Sequence, residues 1–188
     1  MRGVRPDPDP YRAIRFVMVK RPSNVQGGAS FFDEPEQPAV PRSDRVLIVE
    51  ADGGSRGNPG PAAYGAVVRD ALTSEVLAAE GLPIGRATNN VAEYRGLIAG
   101  LEMAHEIDPT AALEVRMDSK LVIEQMAGRW RVKHADMKPL ALQAGRLRPA
   151  TVTWTWVPRE LNKVADTLVN RALDGDPVPR QYLLDRPS

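Results

Sequence analysis

Four carboxylates stand where an ordinary structural domain gains little from one. They are Asp52 in VLIVEADGGSRGNPG (46–60), Glu93 in TNNVAEY (88–94), Asp118 in VRMDS (115–119) and Asp166 in RELNKVAD (159–166). If they converge, they make a pocket of four negative charges with almost no cationic side chain to neutralise it. Charge of that density, partly withdrawn from water, is tolerable only around metal ions. The chain has no Cys and two His, so the donors are hard oxygens suited to Mg²⁺ or Mn²⁺, the ions that handle phosphates. The chemistry implied is metal-dependent cleavage of a nucleic acid backbone.

Singly, each acid has a plain structural explanation. Asp52 before Gly53 fits a hairpin turn, and Glu93 three residues after Asn90 fits a capping box. Asp118 fits the N-cap of a following helix, and Asp166 an exposed helical acid with Lys163 at i−3. Jointly these explanations fail to say why two acids end strands and two sit near helix starts, positions that gather at one end of a mixed sheet. Rival motifs are missing. GGSRGNPG lacks the Gly-Lys-Ser/Thr of a nucleotide P-loop, no G-x-G-x-x-G opens a helix, and no Gly-x-Ser-x-Gly elbow occurs.

The elements that must position the acids follow from periodicity. Val46–Ala51 is a short, nearly continuous apolar run, broken by Glu50, and reads as a central strand buried on both faces. A glycine-rich loop, Gly53–Gly60, follows. Ala62–Arg69 and Glu75–Leu82 read as two more strands around a turn near Asp70–Ser74. Asn90–Ile107 is the strongest helix, with Val91, Tyr94, Leu97, Ile98 and Leu101 at helical spacing and Asp108-Pro109 at its end. Its small residues Ala92, Gly96 and Gly100 predict a close approach to a sheet. Leu113–Met117 is a fourth strand, Ser119–Ala127 and Asp136–Gly145 two helices, and Thr151–Val157 a fifth strand. Arg159–Leu173 is a closing helix with Leu161, Ala165, Leu168 and Ala172 facing inward.

At 188 residues, 43% hydrophobic and 26% charged, the chain has the composition of one globular domain with tails. Residues 1–44 hold 7 of the 17 prolines and read as a flexible extension. Within it, Ile14–Val19 reads as a short strand or docking segment and Phe31-Phe32 as a docking peptide or two local aromatics. Residues 45–174 form the domain, and 175–188 a tail or linker. No apolar run reaches the length of a membrane span, and MRGVRPDPDP lacks a secretion signal, so a cytoplasmic location is the expectation. Net charge is +1, yet from Arg129 to Arg148 six cationic side chains face Asp136 alone. Clustered around Trp130, they point to a nucleic acid backbone.

Residues about 45–174 resemble a type 1 ribonuclease H of the compact bacterial and archaeal kind. The matching motifs are Asp52-Gly-Gly-Ser-Arg-Gly-Asn-Pro-Gly, Thr88-Asn-Asn-Val-Ala-Glu93-Tyr, Met117-Asp118-Ser, and Trp156-Val-Pro-Arg159-Glu-Leu-Asn162 through Ala165-Asp166. The resemblance implies an α/β ribonuclease H-like fold, in which a three-strand antiparallel meander and two parallel strands form a five-stranded mixed sheet flanked by helices. It also implies a monomer that cuts the RNA strand of RNA–DNA hybrids with two Mg²⁺ ions, Mn²⁺ being a substitute, and leaves 5′-phosphate and 3′-hydroxyl ends. By the same resemblance Asp52 bridges both ions, Asp166 completes the water-activating site, and Glu93 and Asp118 hold the second ion. Asn58, Asn89 and Asn90 stand where the family meets the ribose, and Arg86, Thr88 and Lys133-His134 where it meets a DNA phosphate. A phosphatase-like domain, fused or separate, is a further expectation outside this chain.

Two departures from the family stand out. Only Gly128–Asp136 fills the place of a longer basic protrusion, leaving Trp130, Arg131 and Lys133 to reach the DNA strand. The family's mobile histidine has no counterpart in Pro158–Leu161, where Arg159, or failing it Glu160, would have to serve. Arginine stays charged at neutral pH, so its expected work is electrostatic. Three other readings share these residues: a hybrid-binding module without catalysis, a DNA exonuclease or strand-transfer enzyme, and an adaptor acting through its N-terminal extension.

Overall fold

The apolar run after Arg45 forms the middle of a sheet covered on both faces. The computed structural model describes residues 43–183; the expectations for Ile14–Val19 and Phe31-Phe32 lie outside them. Strands β1 (Val46–Ser55), β2 (Gly60–Asp70) and β3 (Val76–Ala87) form the expected antiparallel meander. β4 (Ala112–Met117) runs parallel to β1, and β5 (Val152–Trp156) parallel to β4. Between them come α1 (Asn89–Ile107), α2 (Lys120–Met126), α3 (Met137–Leu147) and, after a 3₁₀ turn at Arg159–Leu161, α4 (Lys163–Leu173). Among the described residues no helix is long and apolar enough to cross a membrane.

Side chains alternate along a strand, and here each face has its own helices. Leu47, Val49, Ala66 and Val68 pack with Leu97 and Leu101 of α1, Ile123 of α2 and Leu140 of α3. On the other face Ala63 packs with Val169 and Ala172 of α4, and Val67 with Leu168. A sheet covered twice needs apolar side chains on both sides, which is why Leu47–Ala51 reads as a run rather than an alternation. Full burial of each large aliphatic chain here contributes about 1.5–3 kcal/mol.

The structure departs from expectation in four places. β1 continues through Gly53–Ser55, pairing Gly53 with Tyr64 and Ser55 with Ala62, so the glycine-rich loop shrinks to residues 56–59. Gly53 and Gly54 are there for close packing, not for a long loop. The first helix is capped by Thr88, whose side chain accepts from the Val91 amide, and no Asn90–Glu93 capping box forms. Leu161 is 67% exposed, because the closing helix starts two residues later and the 3₁₀ turn carries Leu161 outward.

The fourth departure is a sixth strand. β6 (Val178–Tyr182) pairs antiparallel with β3 and sets the order β5-β4-β1-β2-β3-β6. Pro177 and Pro179 spoke for a tail, but an edge strand tolerates proline because one side makes no ladder. Its anchor is Arg180, which pairs with buried Glu80 on β3 and with Glu102 at 3.0 Å and Glu106 at 2.8 Å on α1. The Tyr182 hydroxyl also donates to Glu106.

The small residues of α1 do what their spacing predicts. A Cβ added at Gly53 would stand 2.0 Å from the Glu93 amide nitrogen, and one at Gly96 2.6 Å from the Asp52 carbonyl oxygen. The helix therefore lies directly on the backbone of β1. Gly96→Ala should destabilise the fold by about 1–3 kcal/mol through overpacking, although alanine favours a helix by about 1 kcal/mol. Urea denaturation measures the balance; a rise in the midpoint would mean that α1 can retreat from β1.

Candidate metal centre and nucleic-acid interface

Asp52 lies within β1, two residues past Glu50, the last β1 residue paired with β4. Asp118 follows immediately after Met117, the end of β4. Glu93 is the fifth residue of α1, held over β1 by the glycine contact. One carboxylate oxygen from each lies within 4.8 Å of the other two, the only such group of three among the described residues. Asp52 is 4% exposed and Glu93 6%. None of the ordinary structural explanations describes these acids: Asp52 is not in a turn, and the residue before α2 is Ser119.

Their partners are few. Asp52 Oδ1 accepts from the Gly53 amide at 2.9 Å. Glu93 Oε1 has a long contact, 3.4 Å, from Asn89 Nδ2, and Glu93 Oε2 is buried with no hydrogen-bond partner. Burial, followed by the charge of Asp118, pushes the Asp52 carboxyl up to about 7. Burial and then the charge of Asp52 push Glu93 well above the usual carboxylate range. Buried acids without counter-charge, one oxygen of them unsatisfied, are what a divalent cation would relieve. The all-oxygen donor set fits Mg²⁺ or Mn²⁺.

The fourth acid is placed differently. Asp166, in the first turn of α4, lies outside the 4.8 Å group and pairs with Arg159, not with Lys163. Asn170 Nδ2 also donates to it at 3.1 Å. Arg159 is exposed at the rim, and its charge lowers the Asp52 carboxyl less than Asp118 and Asp166 raise it.

Asn162 was not among the residues expected to do chemistry, and it ties the centre together. Its side chain is 1% exposed, and Nδ2 donates at 2.9 Å both to the Ala51 carbonyl and to Asp118 Oδ1. One amide thus joins β1, the end of β4 and the start of α4, the elements carrying three of the four acids. An Asn directly before a helix is normally read as a cap, but it makes no side-chain cap bond.

The expected substrate residues fall into three places. Asn58 Oδ1 accepts from the Asn89 amide at 3.2 Å, so the 56–59 turn is fastened to the start of α1, where Thr88 and Asn90 also lie. Arg86, at the end of β3, lines a groove with Tyr64 and Arg95. Trp130, Lys133 and His134 line another with Leu121 and Met137. Arg86 and the Lys133-His134 pair therefore face separate grooves.

Because the Asp52 carboxyl rises from 3.8 to about 7 on folding, the native state binds the extra proton between those values. Its stabilising effect is full below pH 4 and lost as pH rises through 7, on the order of 4 kcal/mol. In a chelator, Asp52→Asn should match the parent below pH 4 and exceed it in stability at pH 8. Mn²⁺ at pH 8 should stabilise the parent and not the variant. Denaturation curves across this range check both, and equal stabilities at pH 8 would contradict the assigned burial cost.

The chain matches, over residues 50–172, a family described as reverse transcriptase-like. It is 58% identical over 130 residues to the bifunctional protein Rv2228c of Mycobacterium tuberculosis, covering 68% of this chain but only 35% of the length of that relative. Ribonuclease HI of Halobacterium salinarum is 43% identical over 154 residues, 80% of this chain and 74% of its own. Among solved structures, the N-terminal RNase H domain of the M. tuberculosis protein superposes with a TM-score of 0.66 at 55% identity, covering 70% of this chain and 96% of that one. LC11-RNase H1, solved in complex with an RNA/DNA hybrid, gives 0.65 at 38% identity, covering 69% and 97%. With the sheet order, the acid trio and these relatives in agreement, the chain belongs to the ribonuclease H family, in the fold of its type 1 members.

Proposed function

We propose that this chain is an endoribonuclease that hydrolyses the RNA strand of RNA–DNA hybrids with two divalent cations, Mg²⁺ or in its place Mn²⁺, leaving 5′-phosphate and 3′-hydroxyl ends. The observation that carries the reading is the convergence of buried Asp52 and Glu93 with half-buried Asp118, without an internal counter-charge. A relative solved with an RNA/DNA hybrid supports the substrate class.

Asp52, Glu93 and Asp118 would hold the cations, with Asp166 turning from Arg159 to join them. Bound there, the ions supply Lewis acidity at the scissile phosphate and offset charge gathering on the leaving 3′ oxygen. The protein's own residues supply geometry. Asn162 keeps Asp118 aimed at Asp52 and Glu93 by donating to its Oδ1. Asn58, Asn89 and Asn90 offer donors and acceptors to a 2′-hydroxyl, the group that separates RNA from DNA. Trp130 and Lys133 suit the DNA strand, the indole by stacking and the ammonium at a phosphate. Arg86, Thr88 and His134 offer further phosphate contacts on either side. Arg159 moves no proton; it balances charge beside Asp166.

Labelled hybrid, all-DNA and all-RNA duplexes, incubated in parallel with Mg²⁺, test the reading. Cutting confined to the RNA of the hybrid is expected. Binding without cutting would make the chain a hybrid-binding module, and cleavage of DNA would move it to another class. Asp118→Asn should lose more than about 100-fold in rate while staying folded, since even residues behind metal ligands cost about 10–100-fold; an unchanged rate ends the assignment. Arg159→Ala should slow turnover by at most about tenfold, in keeping with an exposed pair of about 1 kcal/mol. Unaltered turnover would remove Arg159 from the site.

A further inference from the structure

The loop Gly128–Asp136 is short and has no helix of its own, yet it carries Trp130 and Lys133. Its shape is set from outside. Gly128, at φ +76°, turns the chain out of α2, and its amide reaches the Gln125 carbonyl at 3.0 Å. The Glu124 carbonyl then accepts from both Arg129 and Trp130 amides, at 2.9 and 3.0 Å, while the Glu124 carboxylate holds the Arg129 guanidinium. The next peptide is caught by a side chain: Gln125 Nε2 donates to the Arg131 carbonyl at 3.2 Å.

The other end of that amide is anchored in the core. Gln125 Oε1 accepts from the Tyr94 hydroxyl at 2.8 Å, and Tyr94 is fully buried on α1, next in sequence to Glu93. The amide can stand only one way round, because a flipped Gln125 would set its oxygen against the Arg131 carbonyl, two acceptors with no proton between them. One helical turn of α1 thus holds a metal-centre acid and the root of a relay reaching the basic loop.

We propose that Tyr94 and Gln125 are positioning residues that fix the Arg129–Arg131 backbone, presenting Trp130 and Lys133 to a nucleic acid strand in a preformed arrangement. The proposal rests on the hybrid as substrate. Trp130 is 48% exposed in its groove and touches solvent where a base can stack. A loop already ordered leaves less entropy to be lost on binding. In this compact loop, rigidity takes over what length would otherwise do.

The test uses the full 188-residue chain. Gln125→Met keeps the length and removes both hydrogen bonds; Tyr94→Phe removes the hydroxyl alone and keeps the ring in the core. Amide hydrogen exchange over 128–136, hybrid affinity in a chelator, and KM and kcat with Mg²⁺ are then compared with the parent. Exchange should speed up in the loop, and affinity should fall about three- to tenfold, the loss of about one hydrogen bond's worth of order. The loss should appear in KM and not in kcat. Unchanged exchange, or faster exchange with unchanged affinity, overturns the proposal. A parent that does not bind hybrid sinks the functional reading together with this one, whereas a parent that binds and variants that bind equally well sink this one alone.

Discussion

The structure depends on α1 lying against the backbone of β1. Gly53 and Gly96 leave no room for a side chain between them, and this contact drives Glu93 and Asp52 into the same dry space. Two carboxylates so placed repel each other, and neither can reach water for relief. The packing of a large apolar core, with Leu97 and Leu101 fully buried on the same helix, holds the charges where they would not stay on their own. Folding energy is thereby stored as an electrostatic field, ready for a cation to discharge. This is why Asp52 and Glu93 sit on regular elements: a loop could move to let them part.

Asn162 extends the same constraint to the third acid. Without it, Asp118 would sit at a strand end, half-buried and free to turn toward solvent. With its Oδ1 fixed by the amide, and the amide fixed by the Ala51 carbonyl, Asp118 holds register with Asp52 across the β1–β4 gap. Asn162 Oδ1 is itself buried and makes no hydrogen bond to the protein.

Much of this was legible in the sequence, and the failures have physical reasons. The run Leu47–Ala51 and the spacing of Ala92, Gly96 and Gly100 each depend on one element and its nearest neighbour, and periodicity reports such features directly. The four acids could be picked out because their plain explanations competed poorly together. What stayed hidden depends on distant partners. Thr88 rather than Asn90 caps α1, a choice fixed by how β3 delivers the chain to the helix. Gly53 and Gly54 read as loop because glycine is common there, whereas here they make room for Glu93 and Val169. β6 depends on Arg180 finding Glu80, Glu102 and Glu106, separated from it by 74 to 100 positions. Asn162 contacts Ala51, 111 positions away. No local pattern carries such pairings.

The trio and Asp166 differ in how firmly they are held, and the difference sets how each would respond to a cation. Asp52 and Glu93 are buried and that burial raises their carboxyls, so a cation entering beside them would remove a cost of several kcal/mol, as the rise of Asp52 to about 7 indicates. Asp166 is held by an exposed arginine, a type of pair that contributes about 0–1 kcal/mol. Little therefore keeps Asp166 from leaving Arg159 once positive charge accumulates beside it. A histidine in place of Arg159 would carry a proton, and an arginine cannot. Charge balance around Asp166 is accordingly a task that both its chemistry and its exposure permit.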